Sequence, residues 1–302
     1  MPEQADGAEV DQSGATPDLD EAARVFGEVR PRLFGIAYRM LSSATEAEDL
    51  VQEVWLRWQA CDRSAVTNPA AYLATTTTRL AINAVQSARV RRETYVGPWL
   101  PEPVDTSADP YLGAERGEAL EFAVLILLER LKPNERAAYV LREAFDYPYP
   151  QIAEILQLNE PAVRQLVSRA RKRVTGDRRT PVSGAEQREL LTAFISAARS
   201  GDLTALENLF AADVSSYSDG GGIVRASRIP VHGVERVAKY YRAFASRFWA
   251  GVEVEITTVN GEAMGLLSMD GAVFAAVTVV GSPEGINRIY WQMNPTKLAG
   301  VS

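Results

Sequence analysis

The sequence has few of the residues that build metal centres and disulfide frameworks. Its 302 residues include one cysteine, Cys61, and one histidine, His232. A single cysteine excludes intrachain disulfides and cysteine-rich zinc sites, and a single histidine excludes sites that pair two histidines. We therefore expect no metal and no cofactor, and a reducing location such as the cytoplasm.

Long apolar segments are also absent from the sequence. No run approaches the roughly 20 apolar residues that span a bilayer, so we expect no membrane partner. The N-terminus lacks the basic start and apolar centre of a secretion signal. In contrast, 46% of the residues are hydrophobic, which is enough for packed cores. The length predicts two domains or three smaller ones.

The net charge of −7 is unevenly distributed along the chain. Residues 61–96 contain five bases and two acids, and residues 161–180 contain seven bases and one acid, whereas residues 1–30 contain eight acids and two bases. Clustered arginines and lysines are typical of phosphate-binding surfaces, although a solvated helix face gives the same pattern. The two basic blocks therefore indicate more about partners than the total charge does.

Residues 19–92 have the pattern of a small helical domain. They follow residues 1–18, whose polar and acidic composition is typical of a disordered tail. Apolar residues recur at helical spacing in three segments. Ser43 and Glu46 have the spacing of a capping box before the second helix, and Asn68 followed by Pro69 predicts the start of the third. That third helix ends in the first basic block.

A proline-rich linker, residues 93–113, comes next and contains the segment Trp99-Leu100-Pro101-Glu102-Pro103. Its prolines prevent regular structure, and Trp99 is interpreted as an aromatic plug, a regulatory contact, or both. Residues 114–175 predict helices at 114–131, 133–145, 149–156 and 160–174. The last two are joined by a short turn and the second is strongly basic, which is typical of a helix-turn-helix. A charged surface helix in a bundle gives the same pattern.

The pattern changes from helical to mixed after a second linker, residues 176–184. Helices are predicted at 186–200, 203–210 and 234–248, and strands at 252–259, 263–269, 272–280 and 286–293. Asn260-Gly261 and Asp270-Gly271 are typical hairpin turns. Helices followed by an antiparallel meander predict an α+β domain at 185–302.

The α+β domain shows no arrangement of residues suited to acid–base catalysis. His232 precedes a predicted helix, where a surface or capping role is the more frequent one. Asp213, Asp219 and Glu262 have no evident partner in the sequence. We therefore predict that the chain is not an enzyme.

Two groups of segments now resemble a known family. RPRLFGIAYRML, AEDLVQEVWLRW and NPAAYL resemble region 2 of bacterial sigma factors, and the segment from ERAAYVLREAF to VRQLVSRARKRV resembles region 4. Because region 4 follows region 2 after a short linker, the chain resembles the extracytoplasmic-function (ECF) class most. The resemblance covers about residues 20–175. Pro161-Ala162 stand where members often have a Gly-Thr or Ser-Thr pair.

The α+β domain resembles the SnoaL-like fold, a cone-shaped α+β barrel, and the whole chain resembles ECF sigma factors of the SigJ type. Ile223 stands where that type usually has lysine, and Thr296 where it has aspartate. The motifs that carry this resemblance, and that it implies as regulatory contacts between domains, are Trp99, Leu100, Pro101, Glu102, Pro103, Asp219, Gly220, Gly221, Gly222, Asn294, Pro295, Lys297 and Leu298.

The resemblance implies a role for each helical surface. Core RNA polymerase (β′ clamp and β flap) and promoter DNA are the implied partners. The residues implied to contact polymerase are Asp49, Gln52, Glu53 and Arg57. Those implied to bind the −10 element, where a base is flipped into a pocket, are Asp62, Arg63, Ser64, Arg79, Asn83, Arg89, Arg91 and Arg92. Those implied to bind the −35 element are Arg164, Gln165, Ser168, Arg169, Arg171 and Lys172.

The sequence therefore predicts two all-α domains followed by an α+β SnoaL-like domain, in an alternative sigma factor that initiates transcription, as in stress responses. The extension is expected to regulate the factor in cis, in place of a separate anti-sigma protein. Two alternatives remain open. One is a one-component helix-turn-helix regulator whose extension binds a small ligand; the other is a bifunctional protein with a cyclase-like or isomerase-like domain.

Overall fold

The computed structural model describes residues 16–105, 121–176 and 182–301. Four predicted segments lie wholly or partly outside the described residues: the tail up to residue 15, the end of the first linker (106–113), the start of the helix predicted at 114–131 (114–120), and part of the second linker (177–181). None of the helices in the described ranges is both long and apolar enough to cross a membrane.

The first helical body consists of α1 (Thr16–Leu41), α2 (Ala44–Ala60) and α3 (Pro69–Glu93). α1 begins three residues before the predicted position. Ser43 accepts a hydrogen bond from the Glu46 amide, and Asn68 accepts one from the Ala71 amide, so the predicted N-caps of α2 and α3 are formed. Both caps fix where the chain turns, and the 3₁₀ turn Arg63–Ala65 lies between the two helices.

The second helical body contains α4 (Phe122–Leu128), α5 (Pro133–Tyr139), α6 (Tyr149–Leu156) and α7 (Glu160–Gly176). α5 continues into a π-helical turn, Val140–Ala144, that the sequence pattern does not predict. Gln157, the residue that follows α6, has a φ of +55°. Asn159 accepts a hydrogen bond from the Ala162 amide at the start of α7. α6 and α7 therefore form the predicted helix-turn-helix.

The two helical bodies share one continuous apolar core. Buried polar contacts of Arg136 also connect the two bodies. Arg136 lies in α5 and is only 1% exposed. Its guanidinium donates to the Arg39 carbonyl and the Ser42 hydroxyl of the first body, and it pairs with Glu129 at 2.6 Å. Burial lowers the pKa of Arg136 to about 9.

The third body is α+β, as predicted. Its elements in chain order are α8 (Gly184–Ser200), α9 (Leu203–Leu209), β1 (Phe210–Asp219), β2 (Val231–His232), α10 (Val234–Phe248), β3 (Glu253–Val259), β4 (Glu262–Met269), β5 (Ala272–Ser282) and β6 (Gly285–Gln292). The strand order is β2-β1-β6-β5-β4-β3, with β1 parallel to β6 and the other neighbouring pairs antiparallel.

The expected antiparallel meander corresponds to β3–β6, but β1 and β2 are additions that the sequence pattern does not predict. β1 contains three serines and no regular alternation of apolar and polar residues. Its serines are accommodated by partners, since Ser216 bonds to the Tyr241 hydroxyl and Ser215 to His232. Pairing with β6, more than 60 residues away in sequence, stabilises the strand.

The two faces of the sheet have different neighbours. One face packs against α8, α9 and α10 around Phe194, Tyr241 and Trp291. The other face contributes to a smaller core that also contains Leu100 of the linker and Phe122 of α4. The linker is thus packed between the sheet and the helical bodies.

Candidate functional site

The helix α7 presents a polar surface to solvent. Val163, Val167, Ala170 and Val174 are buried on its inner side. All six residues predicted to bind the −35 element are exposed: Arg164, Gln165, Ser168, Arg169, Arg171 and Lys172. This arrangement gives the helix an apolar back and an outer face of donors, as major-groove recognition requires.

Carboxylates lie close to several α7 arginines. Arg171 donates to Glu143 at 2.7 Å, and this bond raises the pKa of Arg171. Arg164 pairs with Glu160 at 3.3 Å and lies over the Tyr149 ring. Each of these arginines is about half exposed or more, so the pairs are weak and a phosphate can replace the carboxylate.

The loop before α3 is organised by its own side chains. Asp62 accepts bonds from the amide and hydroxyl of Ser64, and the hydroxyl bond lowers the pKa of Asp62. Arg63 donates to the carbonyls of Trp58 and Gln59 at the end of α2. Among the predicted −10 contacts, Asp62 and Ser64 are exposed, whereas Arg63 is partly buried.

On α3, two predicted DNA contacts are engaged within the protein. Arg79 donates to the carbonyls of Ile155 and Glu154, at the end of the first helix of the helix-turn-helix. Arg92 donates to the Leu41 carbonyl at 2.7 Å, forms an ion pair with Glu129, and lies 3.5 Å from the Trp99 ring centre. Asn83 is exposed. The side chains of Arg89 and Arg91 lie outside the described residues.

The outer face of α2 is exposed along its length. The four predicted polymerase contacts, Asp49, Gln52, Glu53 and Arg57, are all on this face. Leu56 lies among them and is 58% exposed, a large apolar side chain that the sequence reasoning missed.

Asp219, at the end of β1, joins the α+β domain to the linker. Its carboxylate is fully buried and accepts hydrogen bonds from the Tyr95 hydroxyl at 2.6 Å and the Leu100 amide at 2.9 Å. Lys297 pairs with the same carboxylate at 2.7 Å. The sequence shows no acid–base partner for Asp219, and the partners found here are contacts with the linker and Lys297, of the kind that the family resemblance implies. We call the set Tyr95, Trp99, Leu100, Asp219, Asn294 and Lys297 the linker latch.

Lys297 holds the linker through three kinds of contact. Its ammonium donates to the Leu100 carbonyl at 2.7 Å and pairs with Asp219. It also lies 4.1 Å from the Trp99 ring centre and 4.8 Å from the Tyr95 ring centre. Burial lowers the pKa of Lys297 to about 8, although the Asp219 carboxylate opposes the shift. Trp99 thus lies between the cations Lys297 and Arg92.

The glycine turn after β1 makes the close approach that its sequence predicts. Gly221 has a φ of +62°, and a Cβ there would collide with the Asn294 amide. Asn294 donates to the Tyr95 hydroxyl at 2.9 Å and caps the 3₁₀ turn Pro295–Lys297. The turn therefore needs glycine so that Asn294 can reach the linker.

Further contacts join the linker and α1 to distant segments, and the sequence analysis did not predict these contacts. Gln292 donates to the Pro101 carbonyl, and Asn260 donates to the Tyr38 hydroxyl of α1. Glu102 accepts bonds from the Ser43 hydroxyl and the Thr45 amide, so this predicted linker residue supports the N-terminus of α2. No local pattern could have predicted these contacts, because each joins segments that are far apart in sequence.

The remaining polar residues of the α+β domain have structural contacts. Glu262 accepts a bond from the Phe122 amide, and Asp213 lies 3.6 Å from Arg288. His232 is exposed on β2, where its Nδ1 bonds to Ser215. Glu262 therefore has a partner that the sequence did not reveal, and it connects β4 to α4.

Comparisons with known proteins agree with this architecture. Residues 25–91 match the family Sigma-70 region 2, and residues 122–174 match the family Sigma-70, region 4. The chain is 35% identical over 290 residues to the ECF RNA polymerase sigma factor SigJ of Mycobacterium tuberculosis, which covers 91% of this chain and 92% of that protein.

Two further similarities extend this result. A probable ECF RNA polymerase sigma factor, SigI of M. tuberculosis, is 33% identical over 207 residues, covering 66% of this chain and 71% of that protein. The crystal structure of the M. tuberculosis ECF sigma factor SigJ aligns with a TM-score of 0.74 at 31% identity, over 91% of this chain and 97% of that chain. The chain belongs to the extracytoplasmic-function family of RNA polymerase sigma factors.

Proposed function

We propose that this chain binds core RNA polymerase and directs it to promoters, with its α+β domain controlling that activity in cis. The exposed α2 face, including Leu56, docks on the β′ clamp, and region 4 contacts the β flap. The 61–67 loop and α3 read the −10 element, and α7 reads the −35 element. This activity takes place in the cytoplasm, where polymerase and promoter DNA are found.

The observation that carries the regulatory part is the buried Asp219 carboxylate. It accepts two hydrogen bonds from the linker between regions 2 and 4 while lying on the first strand of the α+β domain. Without these donors the buried carboxylate keeps its ion pair with Lys297 but loses two of the hydrogen bonds that satisfy it. The α+β domain therefore favours one conformation of the linker, and with it one arrangement of the two DNA-reading domains.

The favoured arrangement withholds part of the −10 surface. Arg92 is held by Leu41, Glu129 and the latch residue Trp99, and Arg79 is held by the helix-turn-helix. These arginines can reach a phosphate backbone only after such contacts break. We infer that the latched state is restrained, that release of the linker activates the factor, and that the extension acts in place of a separate anti-sigma protein.

Reconstituted transcription with core polymerase tests this proposal. Asp219→Asn keeps the shape of the side chain but removes the charge that pairs with Lys297, so we expect more promoter-specific transcript than from the unchanged chain. Asp270→Asn, in the exposed β4–β5 turn, is the matched control and should have no effect. Equal transcription by all three proteins would refute control through the latch.

Promoter footprinting with and without core polymerase separates the sigma factor from a one-component regulator. A sigma factor needs core polymerase for specific promoter binding, whereas a free-standing helix-turn-helix regulator binds the duplex alone. We propose no reaction for the α+β domain, since Asp213, Asp219 and Glu262 each contact another element of the protein. Specific footprints formed without polymerase would favour the one-component regulator.

A further inference from the structure

A cavity of about 710 Å³ lies where the three bodies of the protein meet. The linker contributes Trp99, α4 contributes Ile126, and the sheet face turned away from α8–α10 contributes Tyr217 and Tyr290. This volume is in the range of pockets that hold small organic molecules, and such pockets often occur at domain interfaces. The cavity lies on the opposite side of the sheet from the helices that cover the domain's main core.

The cavity wall is positively charged. Its described lining includes three arginines, Arg130, Arg228 and Arg288, against one carboxylate, Asp213, which lies 3.6 Å from Arg288. For Arg228 the described part of the chain shows no hydrogen bond or ion pair. Burial raises the pKa of Tyr290. The positive charges of Arg288 and Arg130 oppose this rise, which is consistent with both guanidinium groups facing the Tyr290 side of the cavity.

A polar group on the same wall lacks a partner. Asn287 of β6 lines the cavity and is 4% exposed, and no donor in the described residues reaches its amide oxygen. An unsatisfied buried amide costs about 1–3 kcal/mol, so such groups usually have a partner in the functional state. Within the described residues, the amide can turn toward a ligand without breaking a side-chain hydrogen bond.

The apolar part of the wall is aromatic. The rings of Tyr217 and Tyr290 have centroids 5.4 Å apart, and Ile126 of α4 lines the cavity with them. Flat aromatic groups pack well against such rings, and a carboxylate matches the fork of an arginine. A neutral aliphatic ligand would leave the arginine and the amide without partners.

We propose that this interdomain cavity binds a small aromatic carboxylate that carries a hydrogen-bond donor. The ring lies against Tyr217, Tyr290 and Ile126, the carboxylate pairs with Arg228, and the donor bonds to Asn287. Because Trp99 and Leu100 of the latch line the same cavity, a ligand of this class favours the latched arrangement over an open one.

Calorimetric titration of the full chain with 6-hydroxy-2-naphthoate tests the proposal. This probe carries an aromatic ring system, a carboxylate and a hydroxyl donor, and 6-hydroxy-2-naphthamide is its neutral counterpart. We expect saturable binding of the carboxylate, and an affinity for the amide that is weaker by at least about tenfold. Arg228→Ala, at an exposed position that the fold tolerates, should weaken carboxylate binding by about tenfold or more.

Arg225→Ala is the matched control. It removes an exposed arginine of the same loop that lines a different pocket, between α10 and β6, and it should leave binding unchanged. No binding up to about 1 mM, equal affinity for the amide, or loss of binding with Arg225→Ala but not Arg228→Ala would each overturn the assignment. These readouts are independent of transcription, so their failure is distinguishable from failure of latch control.

Discussion

The two basic helices of this sigma factor differ in what their arginines contact. On α7 the arginines lie on the surface. Arg164 and Arg171 pair with exposed or partly exposed carboxylates, and Arg169 and Arg173 lie against the buried Glu135. On α3, Arg79 and Arg92 donate to backbone carbonyls of other helices, and Arg92 also stacks on Trp99. The two helices therefore carry similar positive charge, but the α7 arginines are more available to DNA than the α3 arginines. The residues proposed to bind the −35 element are exposed in this structure, whereas Arg92 of the proposed −10 surface contacts Trp99 of the linker.

The largest expected effect comes from breaking the latch. Asp219→Ala leaves the Lys297 ammonium and the Leu100 amide without their buried acceptor, so we expect the free energy of unfolding to fall by about 3–5 kcal/mol. Urea titration followed by tryptophan fluorescence measures the change. Asp270→Asn, at an exposed turn residue whose φ of +52° asparagine tolerates, should cost far less. A fall below about 1 kcal/mol for Asp219→Ala would mean that the latch contributes little to the closed arrangement.

The next effect concerns α7. Arg171→Ala should weaken binding of the polymerase-bound factor to a −35 duplex by about 1–3 kcal/mol and reduce the salt dependence by about one ion. Fluorescence anisotropy at several salt concentrations measures both quantities. Arg236→Ala, an exposed arginine of α10, is the control for total charge. An unchanged salt slope would remove Arg171 from the phosphate contacts.

Arg92 of α3 should differ from Arg171 in its effect on the salt dependence of DNA binding. In the free, latched protein, Arg92→Ala should leave the salt slope for DNA unchanged, because this arginine is held by Leu41, Glu129 and Trp99. In the Asp219→Ala background, the same change should reduce the slope by about one ion. Equal slopes in both backgrounds would show that Arg92 availability does not depend on the latch.

The smallest expected effect is a pH dependence. The pKa of Lys297 is about 8 in the folded protein and about 10.4 in an unfolded chain, so between these values the unfolded state binds more protons. The free energy of unfolding should therefore rise with pH, by about 1 kcal/mol from pH 8 to pH 9. Comparison with Lys297→Met isolates this contribution, and parallel pH profiles for the two proteins would contradict it.

Local signals predicted most of the helical architecture. The caps at Ser43, Asn68 and Asn159 lie where short-range hydrogen-bond rules place them. The motifs around Trp99, Asp219 and Lys297 were identified through the family resemblance, but their contact could not be derived. Tyr95, Asp219 and Lys297 are far apart in sequence, and only the folded sheet brings them together.

The missed elements have similar physical causes. β1 is polar and forms because its serines find partners across the domain, so its strand character depends on tertiary structure. The π-helical turn after α5 has no known local signature in this sequence. Tyr38 and Asn260 form a bond between domains that neither local segment indicates.

The linker also pairs with one end of an edge strand of the sheet. β3 is an edge strand, and its last residue, Val259, forms a bridge with Asp105, while Val104 and Asn260 exchange hydrogen bonds beside it. An uncovered strand edge can pair with the edge of another copy, and the exposed Glu253 and Glu255 oppose such pairing. Release of the linker would uncover the Val259 end of β3, the part of this edge farthest from the two glutamates, so we expect the released protein to self-associate more through that end.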